Sequence, residues 1–212
     1  IMVDAHGENM ISVAPGANRT LTAEDVEEVR HLIETADVLL VQLEIPMNVV
    51  KQVLKWGYDC GVLTILDPAP VPADLLPEDV LDKVTLLTPN RAEAGRLAGM
   101  PVEASPGDVA KKLRNQGPDA VAVTMGEDGV LLDYGEDTHL LPAARANSVD
   151  AVGAGDCFTA VMGTALGEGR GWKEAGVMGL CAGALATEKP GAQDALPSRV
   201  EIIERMNSYR TS

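Results

Sequence analysis

Five apolar runs rich in Val, Leu and Ile recur along the chain, at 37–44, 61–70, 84–90, 119–126 and 129–135. The first four are almost continuously hydrophobic, the pattern of strands buried on both faces. Between and after them, apolar residues fall at helical spacing over 22–36, 46–61, 90–99, 105–117, 155–169, 172–188 and 198–208. Thr22 and Asp25, three apart, open the first helix as a capping box; Pro46 falls at the first position of the second, which Gly61 ends. This alternation predicts an α/β fold, a central mostly parallel sheet with helices on both faces and right-handed crossovers. Ligands in such folds gather at the carboxyl ends of the strands. Residues 1–18 depart from the pattern. A strand on each side of Gly7-Glu8-Asn9 predicts a short β-ribbon, which is not stable alone and should project from the main layer or pair with a second chain. Residues 19–212 then form the α/β domain.

Composition narrows the picture. With 212 residues the chain can bury one sizeable core, and with 3% aromatics that core must be built from Val, Leu, Ile and Ala. A net charge of −15 repels nucleic acid and anionic membrane surfaces, so an anionic ligand has to be held by local devices such as backbone amides. No apolar run has the length of a membrane span. Cys60, Cys157 and Cys181 are odd in number and lack metal-ligand spacing, which points to buried free thiols in a reducing cytoplasm. His6, His31 and His139 are scattered in polar surroundings and read as surface residues. The chain opens Ile1-Met2-Val3, without an initiator Met, as though within a larger protein.

Candidate chemistry concentrates at the strand ends. In SVDAVGAGDCFTA (148–160), Gly153, Ala154 and Gly155 precede Asp156 at the head of a helix. Glycines let amides converge on one point, and the helix dipole adds positive potential there. Asp156 then stands where a general base would take a proton from a hydroxyl. The same residues also suit a plain loop with an Asp cap. Asn90 and Glu93 form either a capping box alone or a cap whose carboxylate lies near hydrated Mg2+. The segment 119–135 is a hairpin whose turn, Thr124 to Gly129, either closes the strands or also passes over a nucleotide. Glu44, at the end of a buried strand, must be paired or face a cleft. The loop 186–197 ends a helix, and its carbonyls suit a monovalent cation. No GxxxxGK[ST] or GxGxxG occurs.

In order, GENMISVAPGANRTL, VQLEIP, DPAP, LLTPNRAEAGRLAG, VTMGEDGV, VDAVGAGDCFTA and KPGAQDALP resemble the ribokinase branch of the sugar kinase family that includes the minor phosphofructokinases. The resemblance spans essentially the whole chain, and its most specific part is D-x-x-G-A-G-D-x-F at 150–158. It implies ATP-dependent phosphorylation of the 5-hydroxyl of D-ribose; the enzymatic alternative is the same chemistry on another sugar or nucleoside, such as fructose or adenosine. A non-catalytic nucleotide-binding or dimerising relic is the alternative of another class. Asp156 matches the catalytic base, in contact with the substrate, and Gly153, Ala154 and Gly155 match the anion hole. Glu44 matches a sugar contact. Asn90 and the segment Thr124, Met125, Gly126, Glu127, Asp128 and Gly129 match nucleotide-site positions, with Gly155 beside the phosphate. Glu93 matches the position tied to Mg2+. Asp150, Val152, Ala186, Lys189, Gly191 and Ala195 match the K+ site, although Ala195 stands where a serine is frequent. The ribbon matches a remnant of the family's lid, and its open edge predicts a homodimer. The front third of family members, with a GGKGxN segment that grips the sugar, has no counterpart in residues 1–30.

Overall fold

A computed structural model describes residues 2–3, 9–10, 12–74 and 76–209. The ribbon is a two-stranded antiparallel pair, β1 (Met2–Val3) with β2 (Asn9–Met10), in which Val3 opposes Asn9. Asn9 thus belongs to the second strand and not to the turn. The turn at Gly7-Glu8, and His6, lie outside the described residues.

The main sheet has six strands, in sequence order across it: β3 (Val38–Val41), β4 (Leu63–Leu66), β5 (Leu86–Leu87), β6 (Ala120–Thr124), β7 (Val130–Tyr134) and β8 (Asp137–Leu141). The pairs from β3 to β6 are parallel, and β7 and β8 add as antiparallel hairpins. β8 was not anticipated, because its residues DTHLL are mostly exposed and carry no apolar run.

Helices cover both faces. The first predicted helix is two, α1 (Ala23–Glu27) and α2 (Arg30–Glu34), although the capping box of Thr22 and Asp25 forms as expected. Tertiary contact overrides propensity at the break: the Arg30 guanidinium lies 5.0 Å from the centre of the Trp56 ring and pairs with Glu27 and Glu34. α3 (Met47–Asp59) starts one residue later than expected, with Pro46 as its cap. α4 (Glu78–Leu81), α5 (Arg91–Ala98), α6 (Pro106–Arg114), α7 (Ala154–Gly167), α8 (Trp172–Ala186) and α9 (Arg199–Tyr209) follow, and α4 alone was unforeseen among these.

Period-two alternation along each strand splits the core into two layers. Leu66, Leu87, Val121, Val123 and Leu131 join the side chains of α3, α5 and α6. Their neighbours Ile65, Leu86, Ala120, Ala122, Val130 and Leu132 join α7, α8 and α9. The second layer is tight: a Cβ on Gly163 of α7 would lie 2.6 Å from Ile65 Cδ1, so glycine lets the helix sit directly on the sheet. Cys157 and Cys181 are buried in this layer, whereas Cys60 is exposed, against expectation. His139 is also not a surface residue: it is half-buried, 5.5 Å from the Tyr134 ring.

Candidate active site

α7 begins where two loops are tied together. Val149 and Asp150 donate their amides to the Thr187 carbonyl at 2.7 and 3.1 Å. The Asp150 carboxylate accepts from the amides of Val152 (3.0 Å) and Gly191 (2.9 Å), and these hydrogen bonds hold its pKa below the ordinary carboxylate value. Gly153 caps the helix at φ +78°, a left-handed conformation that a side chain disfavours, and its Cα faces Ala192. The amides of Gly155 and Asp156 then donate to no acceptor among the described residues, as the first turn of a helix requires. Gly155 has nothing within 4 Å of where its Cβ would be, so this side of the turn is open. Asp156 is exposed in the same turn.

Two further carboxylates, Asp67 and Glu93, belong to the same electrostatic cluster, since Asp67 feels the charges of both Glu93 and Asp156. Asp67 directly follows β4, and its amide donates to the Val41 carbonyl at 2.9 Å. Its pKa rises to about 7, first through burial and then through the negative charges of Glu93 and Asp156. Glu93 forms the expected capping box, accepting from the Asn90 amide at 2.8 Å while Asn90 Oδ1 accepts from the Glu93 amide at 2.9 Å. Burial raises the Glu93 pKa as well. The site therefore holds more negative charge than it neutralises, the condition a hydrated Mg2+ would relieve with one or two carboxylates and several waters. Among the described residues no three His, Cys, Asp or Glu side chains are arranged as a full ligand set. Asp67 of the DPAP segment has no role among the sequence expectations; its signal is a carboxylate directly behind a buried strand.

Asn90 and Thr124 form a parallel bridge, and the Thr124 amide donates to the Pro89 carbonyl at 3.0 Å. This joins the cap of α5 to the turn after β6. Met125 and Gly129 close that turn through a 2.9 Å amide–carbonyl bond around a 3-10 turn of Gly126–Asp128, so the hairpin reading is correct. Arg91 reaches Asp128 at 3.6 Å across the same gap.

Other candidates are placed differently. Glu44 lies three residues beyond the end of β3, exposed to solvent, so its charge needs no partner and the expected buried strand-end position is not found. Ala186 ends α8, Lys189 pairs with Glu201 at 3.5 Å, and Ala195 is buried in the 3-10 turn Gln193–Ala195. Of that loop, Thr187 accepts from the Asp150 amide and Gly191 donates to the Asp150 carboxylate. A cavity of about 530 Å3 lined by Leu76, Leu87, Leu113 and Arg114 takes in none of these residues.

Residues 1–199 match the sequence model of the pfkB family of carbohydrate kinases. The chain belongs to that family. It is 33% identical over 206 residues to the ribokinase of Haemophilus influenzae, covering 96% of this chain and 67% of that protein. Identity to the deoxyribokinase of Salmonella typhi is 30% over 212 residues, covering 99% and 67%. The solved structure of Arabidopsis thaliana ribokinase complexed with ribose and ATP is similar at a TM-score of 0.86 and 30% identity, covering 97% of this chain and 67% of that one. The chain spans about two thirds of the length of these pfkB relatives. Family membership and the ribokinase-like α/β fold thus stand as expected, and the family is one of phosphotransferases with an alcohol acceptor. No helix among the described residues is long and apolar enough to cross a membrane.

Proposed function

We propose that the chain catalyses transfer of the γ-phosphoryl group of ATP to the 5-hydroxyl of D-ribose. The observation that carries this reading is Asp156, exposed one residue after an unobstructed Gly155 whose amide is unpaired. Asp156 accepts the proton of the attacking hydroxyl, and the amides of Gly155 and Asp156 stabilise charge on the in-line phosphoryl group. Gly153 and Ala154 shape that turn. Asn90 and the turn Thr124–Gly129 line the nucleotide side, consistent with the ATP in the Arabidopsis complex. Asp67 and Glu93 would hold hydrated Mg2+, which would shield phosphate charge. Main-chain oxygens of 150–152 and 186–195 would hold K+. The ribbon 1–18 is read as a lid element and dimer contact, and the free thiols suit a cytoplasmic protein.

A second reading is favoured by the exposed Glu44: the chain binds nucleotide but grips no sugar. An ADP-release assay with D-ribose, 2-deoxyribose, fructose and adenosine, alongside calorimetric titration with ADP, separates them. Turnover on ribose, lost in Asp156→Asn, supports the kinase. ADP binding with no turnover on any acceptor supports the second reading and ends the first.

A further inference from the structure

Two buried hydroxyls connect the candidate base to the sheet. Thr159, on α7 one turn after Asp156, is 2% exposed, and Thr88, directly after β5, is 4% exposed. Thr159 Oγ1 donates to Thr88 Oγ1 at 3.3 Å, and Thr88 Oγ1 lies 3.5 Å from the Leu66 carbonyl. Leu66 precedes Asp67, and Thr88 lies two residues before Asn90.

The direction of the Thr159 hydroxyl is unusual for its setting. A helical threonine ordinarily donates back to the carbonyl three or four residues before it. Thr35 does so to His31 (2.7 Å), Thr164 to Ala160 (2.8 Å) and Thr187 to Ala184 (2.8 Å). Thr159 instead reaches out of its own helix to the sheet. The surrounding layer is apolar, with Cys157, Phe158 and Met162 on α7 and Ile65 and Leu86 on the strands. The close seat of α7 at Gly163 sets its distance from the sheet; apolar packing is non-directional, and a hydrogen bond between two buried hydroxyls adds a directional restraint on the rotation of the helix.

We propose that Thr159 and Thr88 are positioning residues, whose shared hydrogen bond fixes the rotation of α7 so that Asp156 and the amides of Gly155 and Asp156 face Asp67 and Glu93. The inference rests on the kinase reading of that turn for its catalytic consequence, though not for its geometry. Loss of the bond leaves the fold intact and turns the first helical turn away from the strand ends. A misplacement of about 1 Å costs on the order of 10²-fold in rate, and a partial rotation roughly tenfold or more.

The test compares Thr159→Val, Thr88→Val and Thr159→Ser with the parent chain. Residual dipolar couplings of the Gly155 and Asp156 amides give their direction relative to β6, whether or not the chain turns over. The ADP-release assay gives kcat and the KM for ATP. The expected result is altered couplings at 155–156 with unchanged couplings in β6, a roughly tenfold lower kcat with KM within about twofold, and recovery of both in Thr159→Ser. Unchanged couplings in both valine variants overturn the proposal, as do altered couplings with parental kcat, or a serine variant that behaves like valine. Altered couplings in a chain whose parent releases no ADP on any acceptor would end the kinase reading while leaving the helix-fixing role in place.

Discussion

Asp150 Oδ2 accepts a 2.9 Å hydrogen bond from the Gly191 amide, joining residues 41 apart in sequence at the entrance to α7. The other oxygen accepts from Val152, so one carboxylate fixes both loops that would supply oxygens to K+. Because the Asp150 pKa is lowered in the folded chain, its contribution is present above the ordinary carboxylate range and lost as pH falls through the lower folded value. Asp150→Ala should abolish any stimulation of ADP release by KCl while α7 remains helical by circular dichroism. Parental K+ stimulation in that variant would place the cation elsewhere.

Asp156→Asn keeps the shape of the exposed side chain and removes the base. Surface substitutions of this kind usually shift stability by less than about 0.5 kcal/mol, whereas a positioned base contributes roughly 10²–10⁴-fold. The expected outcome is a fall in turnover of that size at unchanged melting temperature. Near-parental turnover would remove Asp156 from catalysis.

Asp67 predicts a pH dependence of opposite sign to that of Asp150. Its folded pKa of about 7 exceeds the ordinary carboxylate value, so between roughly pH 4 and 7 the folded chain holds a proton that the unfolded chain has released. Stability should therefore decline as pH rises through this window, by at most about 1.4 kcal/mol per pH unit. Asp67→Asn should flatten the slope and raise stability at pH 8. Urea unfolding midpoints at pH 5, 6, 7 and 8 give the comparison; equal slopes in both chains would contradict it.

What was legible in the sequence was local. Asn90 with Glu93 and Thr22 with Asp25 are three residues apart, and both capping boxes form as read. The parallel strands announced themselves because burial on both faces demands continuous apolar runs. The carboxylate cluster was not legible. Asp67, Glu93 and Asp156 lie far apart in sequence, and their interaction depends on the neighbouring positions of β4 and β5 and on where α7 lands. The same holds for Thr88 and Thr159, 71 residues apart, each of which reads locally as an ordinary strand or helix threonine. Glu44 failed in the other direction: the apolar run suggested a strand reaching it, but pairing ends at Val41.

Gly126 and Gly129 separate the two readings of the turn after β6. Both have positive φ, +58° and +94°. A Cβ on Gly129 would lie 2.0 Å from the Leu141 carbonyl oxygen, a backbone atom of β8 that cannot yield. Gly129→Ala should thus destabilise the hairpin by more than about 3 kcal/mol, combining overlap and strain, whatever the turn binds. At Gly126 nothing lies within 4 Å, so alanine there meets only the left-handed penalty of about 1–2 kcal/mol. On the reading in which the turn passes over a nucleotide, its methyl group would meet that ligand. Gly126→Ala should raise the ADP dissociation constant several-fold with a modest fall in melting temperature, a shift that corresponds to roughly 1 kcal/mol of binding. Unchanged ADP affinity in that variant would leave the turn with its strand-closing role alone.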